Sequence, residues 1–140
     1  MKPLVLSILC GVLLSGCFDK ERHHVAGPFY LTYPESREDM ALFRCFRDEG
    51  NFSCGLDAMP DAEIFSAGGN NEYIVLARHP RESGVTDKAT VEYYYFKRTP
   101  QESRGWGNNP EKMLGPFNKD EFDKRKKELN LPDFSVDIES

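Results

Sequence analysis

Ala89-Thr90-Val91-Glu92-Tyr93-Tyr94-Tyr95-Phe96-Lys97-Arg98 is the stretch that decides the fold. β-Branched and aromatic side chains suit a pleated backbone. Side chains alternate along a strand, so the four consecutive aromatics, Tyr93 to Phe96, fall two on each face. A strand that is apolar on both faces belongs inside a sheet covered on both sides. Just upstream, Glu72-Tyr73-Ile74-Val75-Leu76-Ala77-Arg78 is nearly continuous apolar and reads as a second interior strand, ended by His79-Pro80. A strand over Ala62–Ala67 leads into it through Gly68-Gly69-Asn70-Asn71, residues that tolerate positive φ and so predict a turn.

Further toward the N-terminus, Pro28 to Tyr33 reads as a strand, and Glu35 to Asp39 as a charged connection with room for one helical turn. Met40 to Asp48 alternates, with Ala41, Phe43 and Cys45 on one face and Arg44 and Asp48 on the other. Phe52, Cys54 and Leu56 answer it. A two-residue hairpin loop at Glu49-Gly50 pairs Cys45 with Cys54 and Phe43 with Leu56. The cysteine pair falls at a non-hydrogen-bonded position, where Cα atoms stand about 4.5 Å apart, at the close end of disulfide reach. A Cys45–Cys54 bridge is therefore expected.

Toward the C-terminus, Thr99 to Asn109 reads as loop around Trp106, the one tryptophan in the chain. Asn118 with Glu121 three residues on has the spacing of a capping box, and Phe117 and Phe122 that of a hydrophobic staple. Asp120–Lys124, Glu121–Arg125 and Asp123–Lys127 are candidate i,i+4 pairs. The helix is expected to end near Leu129, before Pro132, with a narrow apolar stripe of Phe122 and Leu129 laid on the sheet surface. Phe134, Val136 and Ile138 alternate with polar residues as a last short strand. The fold class is α+β: a mainly antiparallel β meander of about six or seven strands with one late surface helix.

Met1 to Leu14 carries one base, Lys2, and a short apolar run. A transmembrane helix needs about 20 apolar residues, so the run fits a secretory signal rather than a span. Leu14-Ser15-Gly16-Cys17 resembles the lipobox of bacterial lipoproteins. That resemblance implies cleavage before Cys17, lipid on its thiol and amine, and an anchor facing the periplasm. In such proteins an aspartate directly after the cysteine signals inner-membrane retention. Here that position is Phe18, with Asp19 beyond it, which favours the outer membrane. The resulting division is a signal peptide over 1–16, a lipidated cysteine and tether over 17–27, and a single globular domain over 28–140. Export makes a disulfide the default state for the cysteines of that domain.

Residues 91 to 134 resemble a family of small exported bacterial proteins of unknown function, through Tyr93-Tyr94-Tyr95-Phe96, Gly115-Pro116-Phe117, Arg125-Lys126-Lys127 and Leu129 to Pro132. The resemblance supports the fold and implies no activity.

With Lys2 removed, 17 basic residues face 23 acidic ones, net −6. Such a balance disfavours nucleic acid, where phosphate neutralisation drives affinity. It also offers no overall attraction to an anionic membrane, leaving attachment to the lipid. No phosphate-binding loop or nucleophile elbow occurs. His23-His24 reads as solvated linker, His79 as a satisfied or solvated ring, and no cluster offers metal ligands. Neither a cofactor nor a metal is expected. Three functions fit: a lipid-anchored, non-catalytic binding module such as an immunity protein or inhibitor of a toxin or envelope hydrolase; a structural or accessory envelope component pairing through a sheet edge; and an enzyme with an unrecognised carboxylate site. For the first, Arg104, Trp106 and Tyr94 are the candidate contacts, because interface anchors are enriched in Trp, Tyr and Arg.

Overall fold

The computed structural model describes residues 21–55, 61–99 and 112–139. Two antiparallel sheets make up most of it. The first runs β1 (His23–Ala26), β2 (Phe29–Thr32), β3 (Ala41–Asp48) and β4 (Asn51–Gly55), in that spatial order. The second has the order β10 (Leu114–Phe117), β9 (Glu92–Lys97), β6 (Tyr73–Arg78), β5 (Ile64–Gly69), β11 (Val136–Asp137). A small hairpin, β7 (Arg81–Glu82) with β8 (Val85–Thr86), stands apart, and α1 (Lys119–Leu129) is the late helix. The α+β class and the meander connectivity hold, except that β11 returns to the edge beside β5.

Eleven strands among the described residues replace the six or seven expected, and the surplus is β1, β7, β8 and β10, of two to four residues each, whereas β11 is the short last strand expected. Runs so short carry no readable periodicity. The assignment of residues 17–27 to a tether gives way for the same reason. His23–Ala26 pairs with β2, and Val25 is buried. The folded body therefore starts before position 28. Backbone pairing across the Gly27 turn (φ 53°) makes this strand without an apolar pattern.

The sheets pack face to face. Val25, Phe29, Leu31 and Leu42 from the first meet Ile64, Ala67, Ile74, Leu76, Tyr94 and Phe96 from the second in one core. On the far side of the second sheet, Val75 and Tyr95 pack with Phe122 of α1 and with Leu131. The second sheet is thus covered on both faces, with β6 at its centre and β9 beside it, as their apolar runs require.

Gly68 and Gly69 belong to β5 rather than to the turn. A Cβ on Gly68 would overlap the Asp133 carbonyl, and one on Gly69 would crowd the Ala26 and Ile74 side chains. The turn is made by Asn70, whose Oδ1 accepts the Glu72 and Tyr73 amides at 2.8 Å each.

The β3–β4 register pairs Cys45 with Cys54 and Asp48 with Asn51, and the disulfide is formed, with a Cα separation of 4.0 Å. Glu49 (φ 46°) and Gly50 (φ 84°) adopt the two positive values of a tight hairpin turn. Leu56, the expected partner of Phe43, lies outside the described residues. The faces of β3 are the expected ones, and it is the face of Leu42 and Arg44 that points into the sandwich, where Arg44 is fully buried with its guanidinium 5.6 Å from the Phe29 ring centre.

Helix α1 keeps its capping box: Asn118 accepts the Glu121 amide at 2.9 Å, and Glu121 Oε2 accepts the Asn118 amide at 3.1 Å. The ion pair formed along the helix is Lys119–Asp123. Leu129 is exposed, and Leu131 beyond the helix end takes the buried place expected of it.

Candidate functional site

His79 follows β6, where Pro80 ends the strand, and its backbone pairs with Glu63 through His79 N to Glu63 O at 3.0 Å. The ring is buried, stacked on Phe65 with centroids 4.3 Å apart. Nδ1 lies 2.9 Å from the Thr90 carbonyl oxygen, and Nε2 lies 2.7 Å from Glu139 Oε1. A carbonyl only accepts, so Nδ1 donates there. Hydrogen bonding to Glu139 then needs one further proton, either on Nε2 as imidazolium or on the carboxyl. The Thr90 carbonyl is itself held by a local turn. Asp87 accepts from the Thr90 hydroxyl at 2.6 Å and from the Ala89 amide at 3.0 Å. Those two bonds, the hydroxyl first, hold the Asp87 carboxyl below the usual carboxylate range.

Around this pair opens a cleft of about 520 Å³ lined by Arg37, Glu38, Glu63, His79, Lys88 and Glu139, with Ile138 as its apolar wall. Arg37 is drawn away by Glu21, whose carboxylate it holds at 2.9 Å through Nε. His23 binds the other Glu21 oxygen at 2.8 Å, and the two partners, His23 foremost, hold the Glu21 carboxyl below its usual value. A neighbouring cleft of about 450 Å³ has Arg78 and Arg81 opposite Asp39 and Asp61, with Phe43 and Ala41 on its floor. Arg81 there pairs with Asp39 at 3.2 Å, and Arg78 with Glu92 at 2.8 Å. Both clefts are lined by cations and carboxylates together, a lining suited to a polar partner of mixed charge.

Each ring nitrogen of His79 thus has a protein partner, one a backbone carbonyl and the other a carboxylate that is itself part of the cleft lining. Among the described residues, no group of three His, Cys, Asp or Glu side chains is placed to hold a metal ion.

Of the residues singled out from sequence, Cys45 and Cys54 come together as the disulfide. Cys17, Arg104 and Trp106 lie outside the described residues. Tyr94 is 6% exposed, which corrects its assignment as a surface contact. Its ring lies in the sandwich core, its hydroxyl donates to Glu92 Oε2 at 2.9 Å, and the Arg78 guanidinium stands 5.5 Å from its ring centre. Burial, with help from Glu92, pushes the phenol up to about 12. Alternation explains the misplacement: Tyr93 and Tyr95 take the helix side and Tyr94 the core side, and neither side of this strand reaches solvent freely.

A second feature had no sequence signal. The outer face of the first sheet carries an aromatic row, His24 against Tyr30 (4.9 Å) and Tyr30 against Phe52 (5.4 Å), with the Arg22 guanidinium 4.8 Å from the Phe52 ring centre. These residues are far apart in sequence, and only the meander aligns them.

Comparison of the chain with family models, with curated proteins and with solved structures finds no match.

Proposed function

We infer that the protein is a lipid-anchored envelope protein, held in the periplasm by Cys17, and that its body is a non-catalytic binding module of the immunity or inhibitor kind. The observation that carries the second half is the mixed-charge lining of the larger cleft, Arg37, Glu38, Glu63, Lys88 and Glu139, with His79 tied to Thr90 and Glu139. So engaged, His79 fastens Glu139 and the segment that carries it against the cleft. Such a lining supports recognition of a polar protein surface. The hairpin disulfide supports an oxidising compartment, where such bridges persist.

The test has two readouts. Mass spectrometry of the mature product should find an acylated cysteine at position 17 as the first residue; an unmodified thiol there refutes the anchor. Crosslinking in the envelope should capture a toxin or hydrolase. That capture should weaken when Glu38 and Lys88 of the cleft are changed to Ala, or Arg104 and Trp106 of the downstream loop. Capture unaffected by both pairs rejects the module's assigned surfaces. The reading as a structural envelope component draws on β4, which pairs with β3 alone among the described strands and so offers an edge for a neighbour's strand. In that case the captured partner is stoichiometric and its loss disturbs the envelope.

A further inference from the structure

The geometry points to the outer face of the first sheet as the surface that lies on the bilayer, with anionic phospholipid headgroups as its occupant; this rests on the lipid anchor inferred above. Three observations lead to it.

The first is distance. Only residues 18–20 separate Cys17 from Glu21, the first described residue. An extended chain covers at most about 3.5 Å per residue, so Glu21 stands within roughly 14 Å of the acylated cysteine. Headgroups occupy about 5–8 Å of each leaflet, which leaves less than the thickness of one sheet layer between membrane and domain. A domain on so short a lead rests against the membrane and presents a fixed side to it.

The second observation says which side. The chain enters the fold across the outer face of the first sheet. Thr32, whose neighbours Leu31 and Phe29 point inward, donates its hydroxyl to the Glu21 carbonyl at 2.8 Å. The next residue, Arg22, reaches over Phe52 on β4, the opposite edge strand from β1. The Glu21 carbonyl and the Arg22 side chain therefore lie on that face, at the start of the described chain.

The third is chemistry. Strand alternation and register give this face His24, Tyr30, Thr32, Ala41, Phe43, Cys45, Arg47, Phe52 and Cys54. Arg22, His24 and Arg47 are exposed and Tyr30, Phe43 and Phe52 half-buried, while Thr32, Ala41 and Cys45 are buried, so the accessible part of the face is the aromatic and basic row. No acidic side chain among the described residues takes part in that alternation, although acids outnumber bases 23 to 18 in the whole chain. Three acids lie at its margins: Glu21 gives its carboxylate to Arg37 and His23, Asp39 pairs with Arg81, and Asp61 lines the same cleft as Ala41 and Phe43 beside Arg78 and Arg81. Amphipathic aromatics and arginines are the side chains that settle at the headgroup level, and each basic residue near an anionic leaflet adds about 1 kcal/mol of attraction. The overall acidity, which argues against membrane attraction when charge is summed, thus leaves the strand positions of this face to basic and aromatic residues.

The experiment uses the full-length lipidated protein in vesicles of phosphatidylethanolamine and phosphatidylglycerol, some with brominated acyl chains. Trp106→Phe removes the native indole, and a single reporter is placed by Phe52→Trp on the face or by Lys124→Trp on the exposed side of α1. The two sheets and the helix stack at about 10 Å per layer, so the helix reporter lies some 20 Å farther from the membrane. The expected result is co-flotation of both proteins with vesicles. Bromine should quench the Phe52→Trp protein about twofold and leave the Lys124→Trp protein unquenched at that depth. Tyr30→Trp is the second reporter on the face, for use if the first substitution impairs folding. Combined Arg22→Glu and Arg47→Glu should reduce the quenching while flotation persists. Floating protein with equal quenching at both reporters, or with neither quenched, overturns the face assignment and leaves the anchor standing. Protein that does not float removes the anchor and the face assignment with it.

Discussion

Gly68 on β5 passes directly beneath the Asp133 carbonyl, so closely that any Cβ at position 68 would overlap that oxygen. The contact fixes how the segment after α1 returns over the sheet: Ser135 N donates to Ala67 O at 2.9 Å and Ile138 N to Phe65 O at 2.8 Å. Gly68→Ala must push this segment off, with an overpacking cost of about 1–3 kcal/mol. Urea unfolding followed by far-UV circular dichroism should show a lower midpoint at unchanged slope. A midpoint equal to that of the parent protein would mean the segment moves freely and the contact has no structural role.

Reduction gives the second prediction. The Cys45–Cys54 bridge closes a loop of about ten residues, which by loss of unfolded-chain entropy contributes on the order of 2–3 kcal/mol. Cys45→Ala with Cys54→Ala should lower stability by that amount while leaving the far-UV spectrum native, because the hairpin keeps its turn and its register. Loss of the β signal at neutral pH would show instead that the first sheet depends on the bridge to form at all.

How far the sequence reveals this molecule follows from where its periodicity is unambiguous. The interior strands, the Asn118 capping box and the cysteine pairing were all legible, since each rests on local spacing. Arg44 was not. On β3, Ala41, Phe43 and Cys45 are as apolar as Leu42, so alternation leaves the choice of inward face to the charge at 44. A buried arginine over Phe29 defeats that rule. Gly68 and Gly69 read as turn residues from sequence, and only the crossing of residue 133 shows that close approach on β5 is what requires glycine at 68. The candidate site was the least legible part. His79 and Glu139 stand sixty residues apart in sequence, and nothing in either neighbourhood announces the other. The aromatic row from His24 to Phe52 likewise exists only once β1 joins the sheet, and β1 has no pattern to read.

Alkaline titration tests the placement of Tyr94. An ordinary phenol ionises near 10, and this one is pushed up to about 12, first by burial and then by Glu92, against the opposing pull of Arg78. The folded protein therefore keeps a proton that the unfolded chain loses. This contribution to stability is whole below about pH 10 and is lost as pH rises through 12, amounting at most to about 2–3 kcal/mol. Phenolate absorbance should show a component with a midpoint near 12 that Tyr94→Phe abolishes. If the variant instead removes a component near 10, Tyr94 is not buried as described.

The last prediction concerns the tie between His79 and Glu139. The histidine is buried, so deleting its carboxylate partner leaves Nε2 without the protein group it faces, and the stretch beyond β11 loses its one side-chain attachment to the end of β6 among the described contacts. Hydrogen bonds with an ionised partner contribute about 1.5–3 kcal/mol, and the exposed position of Glu139 places this one at the lower end. Glu139→Ala should therefore loosen the C-terminal segment locally, without unfolding the sandwich. Amide hydrogen exchange distinguishes the two. Exchange at Ile138, whose N–H is held by Phe65 O, should accelerate about tenfold, corresponding to about 1.4 kcal/mol, while Leu76 and Phe96 in the core keep their protection. Equal acceleration at all three would make Glu139 a determinant of global stability, and no change at Ile138 would reduce the tie to a surface contact. Only the local outcome fits a histidine whose two nitrogens serve to fasten the floor of a binding cleft.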